Sequence, residues 1–344
     1  MNMNDNDLFS DAAREVLSGQ CTPAVVRAIE AGGRGAPATQ ALWEQLEATG
    51  LADALLEEEE GGAGLGLGQV FGVLEQCGAH ALPLPLAETM VARALLVQSG
   101  AEREAGSIAL AQGQELADGS WHCSLVRQGA LADAVLVQTQ GAWRLLKVDQ
   151  AHSTDHVSAG DAALTWTSAQ VQAVTLIAVD AGLQVRPLQA AVTAAQMAGA
   201  LRQVFERTLQ YANERQQFGR PIGKFQAIQH QLAVMSEHVF AARMAAQLGC
   251  SGNGVQPDRL RVATAKARCS EAALVVSELA HAIHGAIGFT EEYDLQLFTR
   301  RLHAWRQTTG SEAYWHVVAG EALLAHEGMT LDMVRCITDV VAAH

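Results

Sequence analysis

A regular apolar repeat between residues 225 and 242 constrains the fold of this chain more than any other feature. Apolar side chains recur there every three or four residues, which places them on one stripe of a long α-helix. The repeat consists of Phe225, Ile228, Leu232, Met235, Val239 and Ala242. Glycines and a proline in the stretch 251–258 end this helix. Because such a stripe needs helical neighbours to cover it, the sequence predicts a helical bundle.

The C-terminal part of the chain continues in the same way. The sequence predicts a second long helix from Arg259 to His284, stopped by Gly285, and a last helix that starts near Ser311. We assign residues 187–344 to this C-terminal helical bundle.

The first 104 residues are also predicted to be mainly helical, because apolar residues such as Leu42 and Leu46 recur at helical spacing. Two breaks interrupt them. One is the acidic and glycine-rich stretch Glu57–Gly68, and the other contains Pro83 and Pro85. These residues form a separate N-terminal helical domain, 1–104.

Residues 105–186 have a different pattern. Short apolar runs, several of them alternating, lie between turn residues: SIALA, WHCSLV, AVLVQT, WRLLKV and LTWT. They predict a small β domain with five or six strands. The expected fold class is therefore mainly α with a small middle β domain, divided into residues 1–104, 105–186 and 187–344.

Charge and cysteine usage exclude several classes of protein. The 23 Lys and Arg against 37 Asp and Glu give a net charge of −14, which argues against nucleic acid as the main partner. The six cysteines are scattered and form no CxxC pair, so neither a disulfide framework nor a zinc site is expected. The N-terminus lacks the pattern of a signal peptide, and no uninterrupted apolar run reaches the length of a membrane span. We expect a soluble cytoplasmic protein.

The stretch NERQQFGRPIGKFQAIQHQLAVM, residues 213–235, concentrates positive charge on one turn of this acidic chain. Arg215 offers a planar fork of donors that suits a pyrophosphate. Gln217 offers an amide, and Phe218 offers a flat face on which an adenine could stack. The same residues could also be a corner between two helices whose charges are simply solvated.

The segment YANERQQFGRPIGKFQAIQHQLAVM resembles the C-terminal helical domain of the acyl-CoA dehydrogenase family, with its R-x-x-F-G turn followed by F-Q-x-I-Q. The segment LWEQLEATGLADALLEEEEGGAGLGLGQVFGVLEQCG is similar to the N-terminal helical domain of that family. GALADAVLV resembles a strand of its middle β domain, and IHGAIGFTEEYDLQLFTRR resembles its G-G-x-G-F/Y segment. The resemblance covers nearly the whole chain and implies an acyl-CoA dehydrogenase-like fold.

The resemblance also implies an activity and a cofactor. Members of the family bind FAD, oxidise acyl-CoA thioesters to 2,3-enoyl-CoA and pass the electrons to an acceptor. Most are tetramers in which the ADP half of each FAD is held partly by the neighbouring subunit. The family's cofactor contacts correspond here to Arg215, Gln217, Phe218, Gln226 and Gly285.

The catalytic base of the family is missing from both of its usual positions. Thr309 stands where many members have a glutamate, and Gln189 stands at the alternative position on an earlier helix. Neither a hydroxyl nor an amide acts as a base near neutral pH. Glu312, Glu291 and Glu292 are the carboxylates that could replace it, although each is also explained as a helix-terminal or surface charge.

Two further departures concern the flavin. The T-E-P-x-x-G-S-D-like loop and the W-I-(T/S)-N-like stretch of full-length members, which contact the flavin ring, have no counterpart in the shortened β region. In the segment AIHGAIG, Ala282 and Ala286 replace a glutamine and a glycine of the family pattern. His281 and His284 lie in the same segment, where packing or a cofactor contact is expected rather than a metal.

These features resemble the truncated, base-lacking subunit of heteromeric α2β2 members, several of which act on bulky CoA esters such as those of steroid side chains. The resemblance implies a full-length partner subunit that carries the base, and a non-catalytic role for this chain at the partner's FAD. Two alternatives stay open. The chain could be a self-sufficient homomeric dehydrogenase with a relocated base, or a flavin-free scaffold of the same fold.

Overall fold

The computed structural model of the chain describes residues 5–155, 160–252 and 254–339. The α-helices are α1 (Asp5–Gln20), α2 (Pro23–Gly32), α3 (Pro37–Ala48), α4 (Phe71–Ala79), α5 (Leu86–Gln98), α6 (Ser168–Gln172), α7 (Val185–Glu214), α8 (Gln226–Cys250), α9 (Arg259–His284), α10 (Leu295–Gln307), α11 (Glu312–Ala325) and α12 (Thr330–Thr338). The strands are β1 (Ile108–Gln112), β2 (Gln114–Glu115), β3 (Trp121–Val126), β4 (Ala134–Thr139), β5 (Ala142–Lys147), β6 (His152–Asp155), β7 (Ala162–Trp166), β8 (Gln216–Gln217) and β9 (Arg220–Pro221).

The described residues cluster in two compact units. The first unit comprises those in Met1–Val73, Leu82–Val192 and Gly252–Gln256. The second comprises those in Leu74–Ala81, Thr193–Ser251 and Pro257–His344. The division into the three domains 1–104, 105–186 and 187–344 stays a prediction.

In the first unit, N-terminal helices pack with the β region. Pro23 begins α2, where its missing N–H costs nothing, and the Thr22 side chain caps the helix by accepting from the Val25 N–H at 3.4 Å. The buried helix α5 lies against β1. The Thr89 hydroxyl accepts from the Ile108 N–H at 2.8 Å and so joins this helix to the strand.

The β region contains two small sheets with a shared core. One has the order β1-β4-β5, with β1 and β4 parallel, and the other has the order β2-β3-β7-β6 and is antiparallel. Trp121, Trp166 and Val135 are among the apolar side chains buried in the core. All five predicted strands are present. The structure adds the two-residue β2 and the polar β6, whose sequence HSTD has no apolar alternation to reveal it.

The second unit is the predicted helical bundle. Four residues of the apolar repeat are buried: Leu232, Met235, Val239 and Ala242. Phe225 and Ile228, at the start of α8, are half-buried. The helix α9 has the predicted ends and lies against α8, α10 and α11.

Capping residues explain the boundaries of the later helices. The Asp258 carboxylate accepts from the Leu260 and Arg261 N–H groups and starts α9, and Gly285, at a φ of +65°, stops it. Ser311 precedes α11, as predicted. The sequence reading did not predict α12, which buries no residue.

Two glycines allow a close contact within the second unit, between α4 and α7. A Cβ placed on Gly78 would lie 1.7 Å from the Gln196 carbonyl oxygen. A Cβ placed on Gly199 would lie 1.8 Å from the Glu75 carbonyl oxygen. Because real side chains never come so near a backbone oxygen, both positions require glycine.

One stretch of the described residues, Arg259–Phe289, is long and apolar enough to cross a membrane by length and composition alone. It forms α9 and the turn after it, and it lies among the other helices of the bundle. Lys266, Arg268 and Glu271 interrupt it, so it holds no uninterrupted apolar run of spanning length. The cytoplasmic localisation stays a prediction.

Candidate cofactor-binding site

A two-residue hairpin follows α7 directly. Its strands β8 and β9 are antiparallel, and Gln217 pairs with Arg220. Phe218 and Gly219 form the turn, with φ angles of +52° and +79°. Positive φ at both positions suits the twist of a tight hairpin, but only glycine adopts it without cost. Phe218 is therefore held in an unfavourable backbone conformation at the tip of the turn.

The hairpin presents several side chains to solvent, among them predicted cofactor contacts. Phe218 is 90% exposed, and Arg215, Gln217 and Arg220 are exposed as well. The ring of Phe225 supports the tip. The guanidinium carbon of Arg220 lies 4.3 Å from its centroid, and the Phe218 ring meets it edge-on at 6.0 Å. A flat apolar ring and two guanidinium groups are thus available to a ligand.

The cations of this site are not engaged in ion pairs within the described residues. Within the described ranges of the chain, no carboxylate forms an ion pair with Arg215, Arg220 or Lys224. The helix α8 begins beside them without a capping side chain and without an acidic residue in its first turn. Its N-terminus therefore adds positive potential to that of the cations. On a chain with a net charge of −14, this surface is locally favourable to an anion.

Gln226 and Gly285 complete the set of predicted cofactor contacts. Gln226 is exposed at the first position of α8. Gly285 follows α9, and a Cβ placed on it would meet no atom within 4 Å, so its surroundings are open. Tyr211, one turn before Arg215, stacks on the His284 ring at 4.3 Å and donates its hydroxyl to the His284 carbonyl at 3.4 Å. This stack joins the end of α7 to the turn at Gly285.

His281 and His284, at the end of α9, stabilise the turn at Gly285 through hydrogen bonds and ring stacking. The Nδ1 of His284 donates to the carbonyl one helical turn earlier at 2.8 Å, and its Nε2 accepts from the Tyr293 hydroxyl at 3.2 Å. The Nε2 of His281 lies 2.9 Å from the Thr299 hydroxyl, and its ring stacks on Phe289. Burial lowers the pKa of both imidazoles below the ordinary value, so both are neutral near pH 7. Among the described residues, no group of three His, Cys, Asp or Glu could hold a metal ion.

The usual position of the base lies in the loop between α10 and α11. Thr309 has a φ of +62° and Gly310 a φ of +105°, and the Thr309 hydroxyl donates to the Thr308 carbonyl at 2.6 Å. The ammonium group of the buried Lys266 donates to the Arg306 and Gly310 carbonyls at 3.0 and 2.9 Å. These bonds fix the loop and place a cation inside it.

Glu312, the nearest carboxylate in sequence, forms an ion pair with Arg306. Burial raises the pKa of Glu312, but the hydrogen bond from Arg306 and the charges of Arg306 and Lys266 outweigh burial and hold it below the ordinary value. A carboxylate that is stabilised in this way is a weak base and is not free to approach a substrate. Glu291 and Glu292 are exposed on the turn before α10.

Gln189, at the other usual position of the base, has a structural role in the first unit. It is buried in α7, and its Nε2 donates to the Leu110 carbonyl of β1 at 2.7 Å. The amide therefore joins this helix to the sheet. It supplies neither a charge nor a base.

The hairpin residues fit the ADP half of FAD. Unpaired guanidinium groups next to a free helix N-terminus suit a pyrophosphate. The exposed ring of Phe218 suits an adenine, because an aromatic face loses unfavourable contact with water when a base stacks on it. Arg215, Phe218 and Gln226 would hold these groups, with Gln217 as a further donor or acceptor.

The sequence placed Arg220 among the basic residues of this turn but did not predict that it stacks on Phe225. Their stack joins two residues five positions apart across a hairpin, and the apolar repeat assigned Phe225 to the helix core. The only sequence signal for this stack is the spacing F-G-R-P-x-x-x-F. It places an arginine next to a turn fixed by proline and an aromatic residue at the start of the following helix.

Comparisons with known proteins agree with this fold. Residues 188–324 match the family model described as "Acyl-CoA dehydrogenase, C-terminal domain". Acyl-CoA dehydrogenase IpdE2 of Mycolicibacterium smegmatis is 30% identical over 312 residues, which cover 89% of this chain and 94% of that protein. The chain therefore belongs to the acyl-CoA dehydrogenase family of oxidoreductases, as the sequence resemblance predicted.

Solved structures share the fold. The ChsE4-ChsE5 complex from Mycobacterium tuberculosis aligns with a TM-score of 0.81 and 18% identity, covering 95% of this chain and 99% of that chain. The Tcur3481-Tcur3483 steroid ACAD G363A variant aligns with a TM-score of 0.79 and 24% identity, covering 93% and 98%. The acyl-CoA dehydrogenase fold predicted from the sequence is confirmed.

Proposed function

We propose that this chain is the incomplete subunit of a heteromeric, FAD-dependent acyl-CoA dehydrogenase. In this proposal, a full-length partner subunit carries the base and the contacts to the flavin ring. This chain lends Arg215, Gln217, Phe218, Gln226 and Gly285 to the ADP half of the partner's FAD. The assembly is α2β2, forms 2,3-enoyl-CoA and passes electrons to an external acceptor.

The hairpin is the observation that carries the proposal. Its cations are unneutralised, and its phenylalanine is 90% exposed in an unfavourable conformation. Such a feature persists where the surroundings compensate for its cost, and a cofactor held by a neighbouring subunit would cover it. Arg215 would form charge-assisted bonds to the pyrophosphate, and Phe218 would exclude water from one face of the adenine.

The region around Thr309 supports the division of labour between two subunits. A threonine occupies the position of the base, and the cations Lys266 and Arg306 lie around the loop that holds it. Glu312 is engaged by Arg306. Because the reaction needs a carboxylate to remove the α-proton of the thioester, that group would come from the partner. FAD, when bound, supplies the acceptor for the β-hydride.

The comparisons support the substrate class and the heteromeric assembly. One structural neighbour is described as a complex of two chains, ChsE4 and ChsE5, and another as a steroid ACAD named by two chains. These descriptions belong to those proteins. For this chain they support bulky CoA esters, among them those of steroid side chains, as the substrates to test first.

Co-purification tests the proposal. The tagged chain, isolated from its native host, should bring with it a full-length acyl-CoA dehydrogenase subunit that has a glutamate at one of the base positions. The complex should contain one FAD for each pair of unlike chains and should oxidise an acyl-CoA. One FAD per chain in a homomeric enzyme would overturn the proposal in favour of a relocated base. A native complex without flavin would favour a scaffold.

The role of the hairpin is tested by Arg215→Ala in the same complex. Loss of a hydrogen bond to a charged group costs about 1.5–3 kcal/mol, so FAD should bind roughly 10- to 100-fold more weakly. The matched control is Arg14→Ala, which removes an exposed arginine paired with Asp11 on α1. An unchanged FAD affinity in the Arg215 variant would contradict the proposed clasp.

A further inference from the structure

Tyr211 connects the two parts of the candidate cofactor-binding site, which both lie in the second unit. One part is the hairpin that follows α7, with Arg215, and the other is the turn at Gly285 that follows α9. The Tyr211 ring, in the last turn of α7, stacks on the His284 ring with an interplanar angle of 25°. Because Gly285 directly follows His284, this stack fixes the position of the turn relative to the end of α7.

The backbone of Tyr211 leads directly to the hairpin. Its carbonyl accepts from the Arg215 N–H at 2.8 Å, and the Arg215 carbonyl accepts from the Ile222 N–H at 2.8 Å. Gly223 brings the chain close to α7 again, because a Cβ placed on it would lie 3.1 Å from the Ala212 carbonyl oxygen. The hairpin therefore folds back on the end of α7, and its position depends on where that end lies.

The stack belongs to a cluster of three rings. The centroid of the Tyr293 ring lies 6.3 Å from that of Tyr211 and 5.2 Å from that of His284, so each ring contacts the other two. One turn before Tyr211, Arg207 pairs with Asp294 at 3.4 Å. The end of α7 is thus held against the segment that follows α9.

The side chains of the hairpin depend on these contacts for their position. Arg215, Gln217 and Phe218 are exposed. Tyr211 is half-buried and His284 is buried. An exposed segment with few buried contacts opens easily, so the packed residues next to it determine where it lies. A ligand that needs two separate elements binds more tightly when both are held in place before it arrives.

We propose that Tyr211 is a positioning residue for FAD. Its stack on His284 holds Arg215 and the turn at Gly285 at the separation that the ADP half of one FAD requires. This inference rests on the proposed function, because it takes the hairpin and the turn to hold the same cofactor. Tyr211 itself does not contact the cofactor and acts through the two elements that it connects.

Substitution of Tyr211 in the complex with the partner subunit tests the inference. Tyr211→Leu removes the stack, and FAD should bind roughly 3- to 10-fold more weakly, which is what the loss of an aromatic pair amounts to. Tyr211→Phe keeps the ring and should bind FAD as the wild type does. Leu209→Ala, at an exposed leucine near the same end of α7, is the matched control and should leave the affinity unchanged.

A double variant distinguishes positioning from a general loss of stability. If Tyr211 acts by placing Arg215, then Tyr211→Leu should weaken FAD binding only slightly further once Arg215→Ala is present. His284→Leu removes the stack from its other side and should cause a loss similar to that of Tyr211→Leu, so the test does not depend on one variant. Circular dichroism checks that each variant is folded.

Three results would overturn the positioning role while leaving the proposed clasp intact. In each of them Arg215→Ala still weakens FAD binding. The first is wild-type affinity in Tyr211→Leu, the second is equal loss in Tyr211→Leu and Tyr211→Phe, and the third is a double-variant loss equal to the product of the two single losses. Unchanged affinity in Arg215→Ala would instead overturn the clasp, and the positioning role with it.

Discussion

The Arg220 guanidinium carbon lies 4.3 Å from the centroid of the Phe225 ring, and the same ring meets Phe218 edge-on. Phe225 thus orders two exposed side chains of the hairpin without being exposed itself. We predict that Phe225→Leu weakens FAD binding by the complex about 5- to 10-fold, since a cation–π contact is worth roughly 1 kcal/mol. Phe225→Tyr keeps the ring and should bind FAD as the wild type does. Equal affinities for the two variants, measured by flavin release, would contradict this role.

We expect Phe218 to lower the stability of the fold while it raises the affinity for FAD. A φ of +52° destabilises the folded chain by roughly 1–2 kcal/mol when the residue is not glycine. Replacement by glycine also raises the conformational entropy of the unfolded chain, which lowers stability by roughly 0.4–1 kcal/mol. Phe218→Gly should therefore leave the free energy of unfolding unchanged or raise it by up to about 1 kcal/mol. The same variant should lose FAD affinity, because the stacking surface is gone. Urea unfolding and flavin titration measure the two quantities separately, and a large loss of stability would show that Phe218 is a packing residue.

Gly199 should not tolerate a methyl group. An alanine there would place its Cβ 1.8 Å from the Glu75 carbonyl oxygen, so α4 and α7 would have to separate. We expect Gly199→Ala to lower the free energy of unfolding by about 3 kcal/mol or more. Gly19→Ala, on α1 with no atom within 4 Å of the new Cβ, is the control and should be neutral or slightly stabilising. Similar melting temperatures for both variants would contradict the close contact.

The ion pair between Glu312 and Arg306 should make part of the stability depend on pH. The pKa of Glu312 is lowered in the folded chain, so its contribution is present above the unfolded-state value and is lost as pH falls through the folded-state value. Glu312→Gln should therefore cost about 1 kcal/mol at pH 7 and less towards pH 3. Glu15→Gln, at an exposed position of α1, serves as the control. If unfolding curves gave the same free-energy difference between Glu312→Gln and the wild type at every pH, they would contradict this assignment.

The sequence predicted the long helices well because their signals are local. The boundaries of α8 and α9 follow from apolar period, glycine and proline, all of which act within a few residues. The β6 strand was missed because its sequence HSTD has no apolar alternation. The helix α12 was missed although Leu331, Val334 and Ile337 recur at helical spacing. The contact at Gly78 and Gly199 joins distant parts of the chain, and no local pattern marks it.

The candidate site likewise combines residues that a local motif predicts with contacts that only the fold creates. Arg215 and Phe218 could be predicted as cofactor contacts because their motif is contiguous, and the absence of a carboxylate at the predicted position of the base could be read directly from Thr309. The burial of Lys266 and the engagement of Glu312 by Arg306 depend on how three helices meet. Only the structure shows that the carboxylate nearest to the missing base is already occupied.

The buried ammonium of Lys266 has a consequence for restoring activity to this chain. A glutamate introduced at position 309 would have to adopt a φ of +62°, and it would stand beside Lys266 and Arg306. Two nearby cations lower the proton affinity of a carboxylate, which is the property that a base needs. We therefore expect that a single codon change would not give this chain a working base. If the proposed assembly is correct, the surrounding helices would keep this chain dependent on its partner, and stepwise mutation would not readily reverse that dependence.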